Sequence, residues 1–410
     1  MPAPPDDTAA RTRRLILLYG LTAFSTSLSA RSLDPILPEI ARDLAVSTDR
    51  IALLATAFAL PYALIQPILG PVGDALGKRR IIVIATILTG LALIACALSP
   101  GAGPLFVFRA LAGAAAGGVY PLIIATFGDR VPVAQRPVAL SQLLAFSIIG
   151  QIGGGVLSGL VHGLVGWREI IGLGAVPVLL VAAVLWADLR RDPEPPAGRV
   201  DAVAAFRRYG EIVRLPMARR VYASVWAEGL LVFGLLPFLA ALMASWGMGG
   251  PLEAGLAIGA FGLAGVGYAL VSRIMLARLG LPAMMRVAGV LAGLGFAIVA
   301  LSGGRGAGAA PLLAALPVIL GLFLVGMGYF TMHNALQTRV TEVAPKARGS
   351  AVALHAFSFF VGQSLGPLLF GGLVTGLGAM VALLACGAAM LALGLVLSRV
   401  MRMPARGPAA

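Results

Sequence analysis

The chain alternates between long apolar runs and short polar breaks. Twelve stretches of about twenty mainly apolar residues follow one another, and little of the charge lies inside them. A bilayer core about 30 Å thick is crossed by an α-helix of about 20 apolar residues. The pattern therefore predicts an all-α membrane protein. The predicted spans are 15–38, 51–72, 81–99, 104–127, 137–162, 168–187, 221–245, 252–272, 284–302, 312–335, 350–374 and 379–398.

The composition agrees with this interpretation. Of the 410 residues, 59% are hydrophobic and only 12% are charged, whereas soluble domains carry about 25% charged residues. The loops between the predicted spans are short, which leaves no room for a large domain outside the membrane. The apolar run that starts at Leu15 is too long for a signal-peptide core, so we interpret it as a retained first span.

The net charge of +14 could suggest a nucleic-acid partner, but its distribution argues against one. Most lysines and arginines lie in the N-terminal tail, the even-numbered loops and the C-terminal tail. This asymmetry is the positive-inside pattern of membrane proteins. It predicts a multi-pass protein of a bacterial-type inner (plasma) membrane with both termini in the cytoplasm.

The longest polar break, 188–220, contains the run DPEPP (192–196) and many arginines. We expect a cytoplasmic linker with an interfacial helix at 200–214. The predicted organisation is a tail (1–14), a six-helix bundle (15–187), the linker (188–220), a second six-helix bundle (221–398) and a tail (399–410).

The two halves echo each other in sequence. Gly150–Gly154 (GQIGG) in span five corresponds to Gly362–Gly366 (GQSLG) in span eleven, and both copies have the same orientation. Such parallel repeats are typical of transporters with a site between the halves, near the midplane. Small residues spaced four apart let helix backbones approach closely, so we expect these faces to form the contact between the moving bundles. The predicted packing residues are Gly150, Gly154, Gly155, Gly362, Gly366 and Pro367.

Three motifs resemble those of the major facilitator superfamily. Gly70–Arg80 (GPVGDALGKRR) is similar to the family's loop signature, with Ala75 in place of a basic residue. Arg109–Gly113 (RALAG) resembles the family motif of span four. Gly150–Gly159 (GQIGGGVLSG) resembles the span-five antiporter motif, although it lacks the motif's proline. Together with Asp34–Pro38 (DPILP), these runs look most like the twelve-span drug:proton antiporter and sugar-efflux-like branch.

The resemblance implies two six-helix bundles around a central cavity that opens alternately to each side. It also implies that spans one, four, seven and ten line the cavity. In the loop motif, a charge-assisted contact from Asp74 to the other bundle could latch one state. The alternative is a solvated turn with ordinary inside charges. The motif residues are Gly70, Asp74, Gly77, Lys78 and Arg79.

Few ionisable side chains lie away from the ends of the spans. A charge that faces hydrocarbon costs a few kcal/mol or more, so such groups are expected to face a cavity or a partner. Arg31 and Asp34 share one helix face, and Arg109 lies at a similar predicted depth. We predict an intramembrane charge cluster of these three residues, in which Asp34 is a proton carrier or a structural ion pair. The alternative is that Asp34 is a solvated carboxylate at the rim.

Glu228 lies near the predicted midplane of span seven without a basic neighbour on that span. Our leading hypothesis is that Glu228 couples transport to protons, by binding a proton from one side and releasing it to the other. The alternative is a hydrogen-bonded contact between helices.

His333 could bind substrate or relay protons, and Asn334 and Gln337 are its polar neighbours on span ten. The alternative is that His333 and His355 form hydrogen bonds between helices. The remaining candidate lining is largely apolar and aromatic, which suits a lipophilic or amphiphilic solute. These further substrate-binding candidates are Tyr62, Gln66, Gln142, Phe146, Trp226, Phe233 and Phe330.

Other functions have little support in the sequence. There is no Gly-rich phosphate loop after a strand, no Cys/His metal spacing and no nucleophile–base set, so we expect neither an enzyme, nor a cofactor, nor a metal site. Cys96 and Cys386 lie within spans as packing residues. The predicted protein is a monomeric, proton-coupled exporter in a lipid bilayer. The alternatives are a proton-coupled importer of a small nutrient or metabolite, a metal transporter and a non-transporting membrane sensor.

Overall fold

A computed structural model describes residues 5–132, 135–193, 202–303, 310–344 and 347–400. Within these ranges the chain is almost entirely helical and contains no β-strand. The α-helices are α1 (Pro5–Arg31), α2 (Leu37–Asp43), α3 (Thr48–Leu76), α4 (Lys78–Ala97), α5 (Ala102–Ala116), α6 (Val119–Arg130), α7 (Arg136–Val161), α8 (Trp167–Arg191), α9 (Ala202–Val213), α10 (Pro216–Phe233), α11 (Leu239–Ser245), α12 (Pro251–Ser302), α13 (Pro311–Val343), α14 (Arg348–Leu377) and α15 (Ala379–Val400).

Eleven helical stretches of the described ranges are long and apolar enough to cross a membrane. The first predicted span is built from α1, a 3-10 turn and α2. The predicted all-α membrane fold is therefore confirmed. Several helices extend past the apolar runs from which they were predicted, and α8 continues to Arg191. Polar residues are tolerated there because helix ends lie at the membrane–water interface.

Short 3-10 turns interrupt the first helix of each half. Asp34–Ile36 separates α1 from α2, and Leu236–Phe238 separates α10 from α11. Each turn has a proline at its second position, where the missing N–H removes a helical hydrogen bond. The helix continues past the predicted end of span one at Pro38, because α2 runs to Asp43.

The predicted loop between spans eight and nine is reduced to one non-helical residue. The segment labelled α12 consists of two helices that meet at Gly280, where the backbone leaves helical geometry with φ +68°. Glycine adopts this left-handed conformation without a Cβ clash. Pro282 follows in the first turn of the next helical segment, where a missing N–H costs little.

Two bundles of helices form the body of the molecule. In the first, α1 packs on α7 and α4 packs on α8, while in the second α10 packs on α14 and α12 packs on α13 and α15. The bundles meet where α3 contacts α14 and where α7 contacts α12. At the first of these contacts the Thr56 hydroxyl donates to the Ser364 carbonyl oxygen over 2.6 Å.

The glycine repeats hold helices together mainly within each bundle. A Cβ at Gly150 or Gly154 would collide with carbonyl oxygens of α1, and one at Gly362 or Gly366 would collide with the backbone of α10. The prediction that these four glycines form the contact between bundles is therefore wrong. Gly155 lies on another side of α7 and does face α12 of the other bundle, against Ile258. Pro367 lies inside α14, directly after Gly366.

One end of the molecule, which we call the basic end, carries a network of ion pairs. The Arg79 side chain is only 3% exposed and contacts Asp188 at 2.7 Å and Asp192 at 3.1 Å. Arg14 also pairs with Asp188, and Arg130 pairs with Asp192. These contacts tie together α1, α4, α6 and the end of α8. We call the opposite end, where α1 passes through its turn into α2, the far end.

The loop motif contributes to this network from inside one bundle. Lys78 Nζ lies 2.7 Å from Asp129 of α6, and Gly77, with φ +96°, makes the turn between α3 and α4. Gly70 lies within α3. The side chain of Asp74, and with it the predicted latch to the other bundle, lies outside the described part of the structure.

The linker helix α9 docks on both bundles, where it contacts α3, α10 and α14. The Tyr209 hydroxyl donates to the carbonyl oxygen of Pro67 over 3.2 Å. In a continuous helix this carbonyl would accept from the N–H of residue 71, but residue 71 is a proline and has none. Tyr209 therefore satisfies a backbone acceptor that Pro71 leaves without its helical donor.

We expect Tyr209→Phe to destabilise the protein by about 1 kcal/mol, the usual net value of one hydrogen bond. In a Pro71→Ala background the new N–H can serve the Pro67 oxygen, so the same substitution should cost much less. A double-mutant cycle of unfolding in detergent measures this coupling. Equal losses in both backgrounds would show that the hydroxyl does not compensate for Pro71.

The two cysteines are buried in different bundles. Cys96 of α4 is 0% exposed and Cys386 of α15 is 2% exposed. Each belongs to a hydrophobic core cluster. Their surroundings are those of packing residues, as the sequence predicts.

Candidate functional site

The bundles are in contact at the far end. The turn Asp34–Ile36 contacts α11, α12 and the turn Leu236–Phe238 of the second bundle. Nearby, a Cβ at Gly159 of α7 would collide with the backbone of Pro251 at the start of α12. In this conformation the far end is therefore closed by close backbone packing.

A small central cavity lies between the bundles. The first bundle lines it with Arg31, Ile148, Gln151 and Ile152, and the second with Phe233, Leu236, Ile258, Phe261, Gly262 and Phe330. Its free volume is about 20 Å³, which is room for a single water molecule. A larger solute needs the bundles to separate around it.

Aromatic side chains of the second bundle form a continuous cluster beside this cavity. The Phe233 ring packs edge-on against Phe261, Tyr329 and Phe359, with centroid distances of 5.3–5.7 Å. Phe330 packs on Tyr329 at 5.0 Å. We call these five rings the aromatic cluster; three of them, Phe233, Phe261 and Phe330, line the cavity and give one of its walls an apolar surface.

Glu228, His333 and His355 lie behind the aromatic cluster. Glu228 is 0% exposed, and its Oε2 is 3.1 Å from His333 Nδ1. The His333 ring lies 5.1 Å from Tyr329, 4.9 Å from Phe359 and 5.3 Å from His355, centroid to centroid. Three helices, α10, α13 and α14, thus bring three titratable side chains together.

This polar group has unused hydrogen-bonding capacity. Among the described residues, neither Glu228 Oε1 nor His355 Nε2 has a hydrogen-bond partner. Buried polar atoms are usually satisfied by protein or by water. The arrangement therefore has places for a proton or a water molecule.

Arg31, Asp34 and Arg109 lie together, as the sequence predicts. Arg31 Nη1 is 3.3 Å from the Asp34 carboxylate, which is only 3% exposed. Arg109 donates to the carbonyl oxygen of Ala30 over 2.9 Å and lies 4.4 Å from the centroid of the Phe58 ring. Asp34 is thus a buried ion-pair partner rather than a solvated rim carboxylate.

The other predicted substrate-binding residues divide into two groups. Tyr62 packs on Phe360 of the other bundle, with the ring planes tilted and their centroids 4.3 Å apart. Gln66 is buried, with no hydrogen-bond partner for its amide among the described residues. Both lie on α3, but neither lines the central cavity. Phe233 and Phe330 do line it, and His333 lies behind it.

The remaining candidates are not among the residues that line the central cavity. Gln142 and Gln337 are exposed, and Trp226 is 37% exposed. Phe146 packs on Gly20 of α1, and Asn334 donates to the carbonyl oxygen of Phe330. Apolar periodicity does not fix the rotation of a helix that is hydrophobic on most sides, so the sequence alone does not select the residues that line this cavity.

An open surface groove at the far end is a weaker candidate. Asp43, beyond the predicted end of span one, lies there 2.6 Å from Arg168 and accepts from Trp167 over 2.9 Å. Hydrogen bonds from Arg168 and Trp167 lower the pKa of Asp43. The groove lies at the molecular surface, and these contacts fasten α2 to α8 within one bundle.

Two bundles of membrane-crossing helices, with buried ionisable groups beside a cavity at their interface, define a membrane transporter. A sequence profile of the Major Facilitator Superfamily matches residues 19–367, so the chain belongs to that family. The predicted family and fold class are thereby confirmed.

Several relatives are transporters of this family. YwfA of Bacillus subtilis, an uncharacterized MFS-type transporter, is 25% identical over 405 residues, 94% of this chain and 91% of the relative. Multidrug resistance protein MdtG of Dickeya zeae is 31% identical over 183 residues, 43% of this chain and 44% of the relative. The crystal structure of the peptide transporter POT, 19% identical, has the same fold with a TM-score of 0.74 over 94% of both chains.

Proposed function

We propose that this transporter exports a small lipophilic or amphiphilic solute in exchange for protons, by alternating access, as a monomer in the plasma membrane. The observation that carries the proposal is the contact of 3.1 Å between Glu228 Oε2 and His333 Nδ1, in which Glu228 is fully buried. The aromatic cluster connects this pair to the central cavity.

The burial of Glu228 supports its role as proton carrier. An ionised carboxylate inside a membrane protein is costly unless it has a partner, and functional sites are where such groups are retained. His333 is an adjacent group that can exchange a proton with Glu228 or hold its carboxylate in place. Movement of the bundles would alternately expose and bury the pair.

The cavity walls support an apolar solute. The aromatic cluster provides flat hydrophobic surfaces, and Arg31 and Gln151 are the polar groups among the lining residues. Pockets of this composition bind molecules with a hydrophobic body and few polar groups. The match to a protein named for multidrug resistance supports export of drug-like compounds, although it covers less than half of either chain.

The charge distribution supports an orientation. The basic end carries Arg14, Lys78, Arg79 and Arg130, and the positive-inside rule places such an end in the cytoplasm. Both termini would then be cytoplasmic. The conformation described here, closed at the far end, would be closed to the outside.

Everted membrane vesicles test direction and coupling together. In these vesicles respiration acidifies the lumen, so a proton-coupled exporter should accumulate a fluorescent amphiphile in the lumen when the membrane is energised. Nigericin, which collapses the pH gradient, should abolish the accumulation. Accumulation in right-side-out vesicles instead would identify an importer, and insensitivity to nigericin would reject proton coupling.

A further inference from the structure

The charge cluster of the first bundle is unbalanced. It holds two guanidinium groups, Arg31 and Arg109, and one carboxylate, Asp34. Asp34 contacts Arg31, whereas no carboxylate of the described residues lies within 4 Å of Arg109. The Arg109 Nε also has no hydrogen-bond partner among those residues. The cluster therefore keeps one positive charge that the described part of the protein does not neutralise.

Arg31 is the member of this cluster that lines the central cavity. Its guanidinium carbon lies 4.8 Å from the centroid of the Phe233 ring, across the interface between the bundles. Arg109, by contrast, is buried behind this cavity at 2% exposure. Glu228, behind the aromatic cluster, is already in contact with His333, and the Asp34 carboxylate contacts Arg31 itself.

Burying a positive charge in a low-dielectric site costs free energy, and a bound anion that pairs with the charge offsets this cost. Guanidinium groups bind carboxylates and related oxyanions through two parallel hydrogen bonds. On the other side of the cavity, the aromatic cluster offers a surface for an apolar body. The arrangement is therefore complementary to a molecule with an anionic head and a hydrophobic tail.

We infer that the substrate is an amphiphilic organic anion, with a carboxylate or sulfonate held by Arg31 and an aromatic or aliphatic body on the aromatic cluster. This inference deepens the proposed function, because it takes the central cavity as the transport site. It narrows the solute from lipophilic compounds in general to those with one negative charge.

The test is equilibrium binding to the purified protein in nanodiscs, with three probes that share one ring system. These are naphthaleneacetate, the neutral naphthaleneacetamide and the cationic naphthylmethyl-trimethylammonium. Wild type should bind the anion at least tenfold more tightly than the amide, and the cation more weakly still. Arg31→Gln should remove this preference and Arg31→Lys should keep part of it. Arg42→Gln, at an exposed arginine near the far end, should change nothing.

Equal or tighter binding of the amide or the cation by wild type would overturn the inference, even if the Arg31 variants do not fold. A preference for the anion that survives in Arg31→Gln would overturn it as well. The binding assay uses no proton gradient, so its outcome is independent of coupling. If binding depends on Arg31 but no pH-driven flux is measured, the proposed function is rejected and the anion site is kept. If pH-driven flux is measured for cations and not for anions, the anion site is rejected and proton-coupled transport is kept.

Discussion

Glu228→Gln should reduce pH-driven flux by at least tenfold while solute exchange without a gradient continues. Glutamine has nearly the same shape and can still hydrogen-bond His333, so packing in this buried site is kept. It cannot bind and release a proton, and the coupled step is therefore lost. Proteoliposomes with an imposed pH gradient, compared with counterflow at equal pH on both sides, measure the two activities separately.

The matched control is Glu211→Gln, at a glutamate of α9 whose side chain is 62% exposed. It should leave both activities unchanged. Full pH-driven flux in Glu228→Gln would exclude Glu228 as the proton carrier, and equal loss of flux and counterflow would point to a structural role. His333→Asn should weaken pH-driven flux less than Glu228→Gln if histidine assists rather than carries the proton.

Gly362→Ala should produce the largest loss of stability among single methyl additions on α14. The added Cβ would collide with the backbone of Trp226 in α10, and a backbone cannot move aside as the end of a side chain can. Overpacking of this kind costs about 1–3 kcal/mol. Thermal unfolding of the purified protein in detergent measures the loss.

Gly372→Ala is the control on the same helix, because a Cβ there meets no atom within 4 Å. Alanine has the higher helix propensity, so this variant should be as stable as wild type or slightly more so. A similar loss in both variants would mean that the cost reflects helix flexibility. No loss at Gly362 would show that α10 and α14 are less tightly packed than described.

The sequence predicted the helices well because the bilayer imposes both their length and their composition. It missed the interruptions, where single residues decide the geometry. Between spans eight and nine, one residue with positive φ, Gly280, makes the break where a loop was predicted. After the 3-10 turn in span one, the chain returns to α-helix and continues beyond Pro38 to Asp43.

The site was predicted in part. Asp34 and Arg31 are three residues apart on one helix, so their contact follows from local geometry. The contact between Glu228 and His333 joins α10 to α13 and depends on how two apolar helices are rotated, which hydropathy does not encode. Phe261, Gln151 and Tyr329 were missed for the same reason. Gln151 lies inside a glycine motif, a pattern that indicates helix packing rather than a polar lining residue.

The sealed positions of Cys96 and Cys386 make the native chain a ready background for thiol labelling. Buried thiols in apolar surroundings react slowly with maleimides, so a single cysteine introduced at the basic end would be the dominant reactive group. Its modification rate, with and without solute, would report directly on how that end opens and shuts, without first removing the natural cysteines.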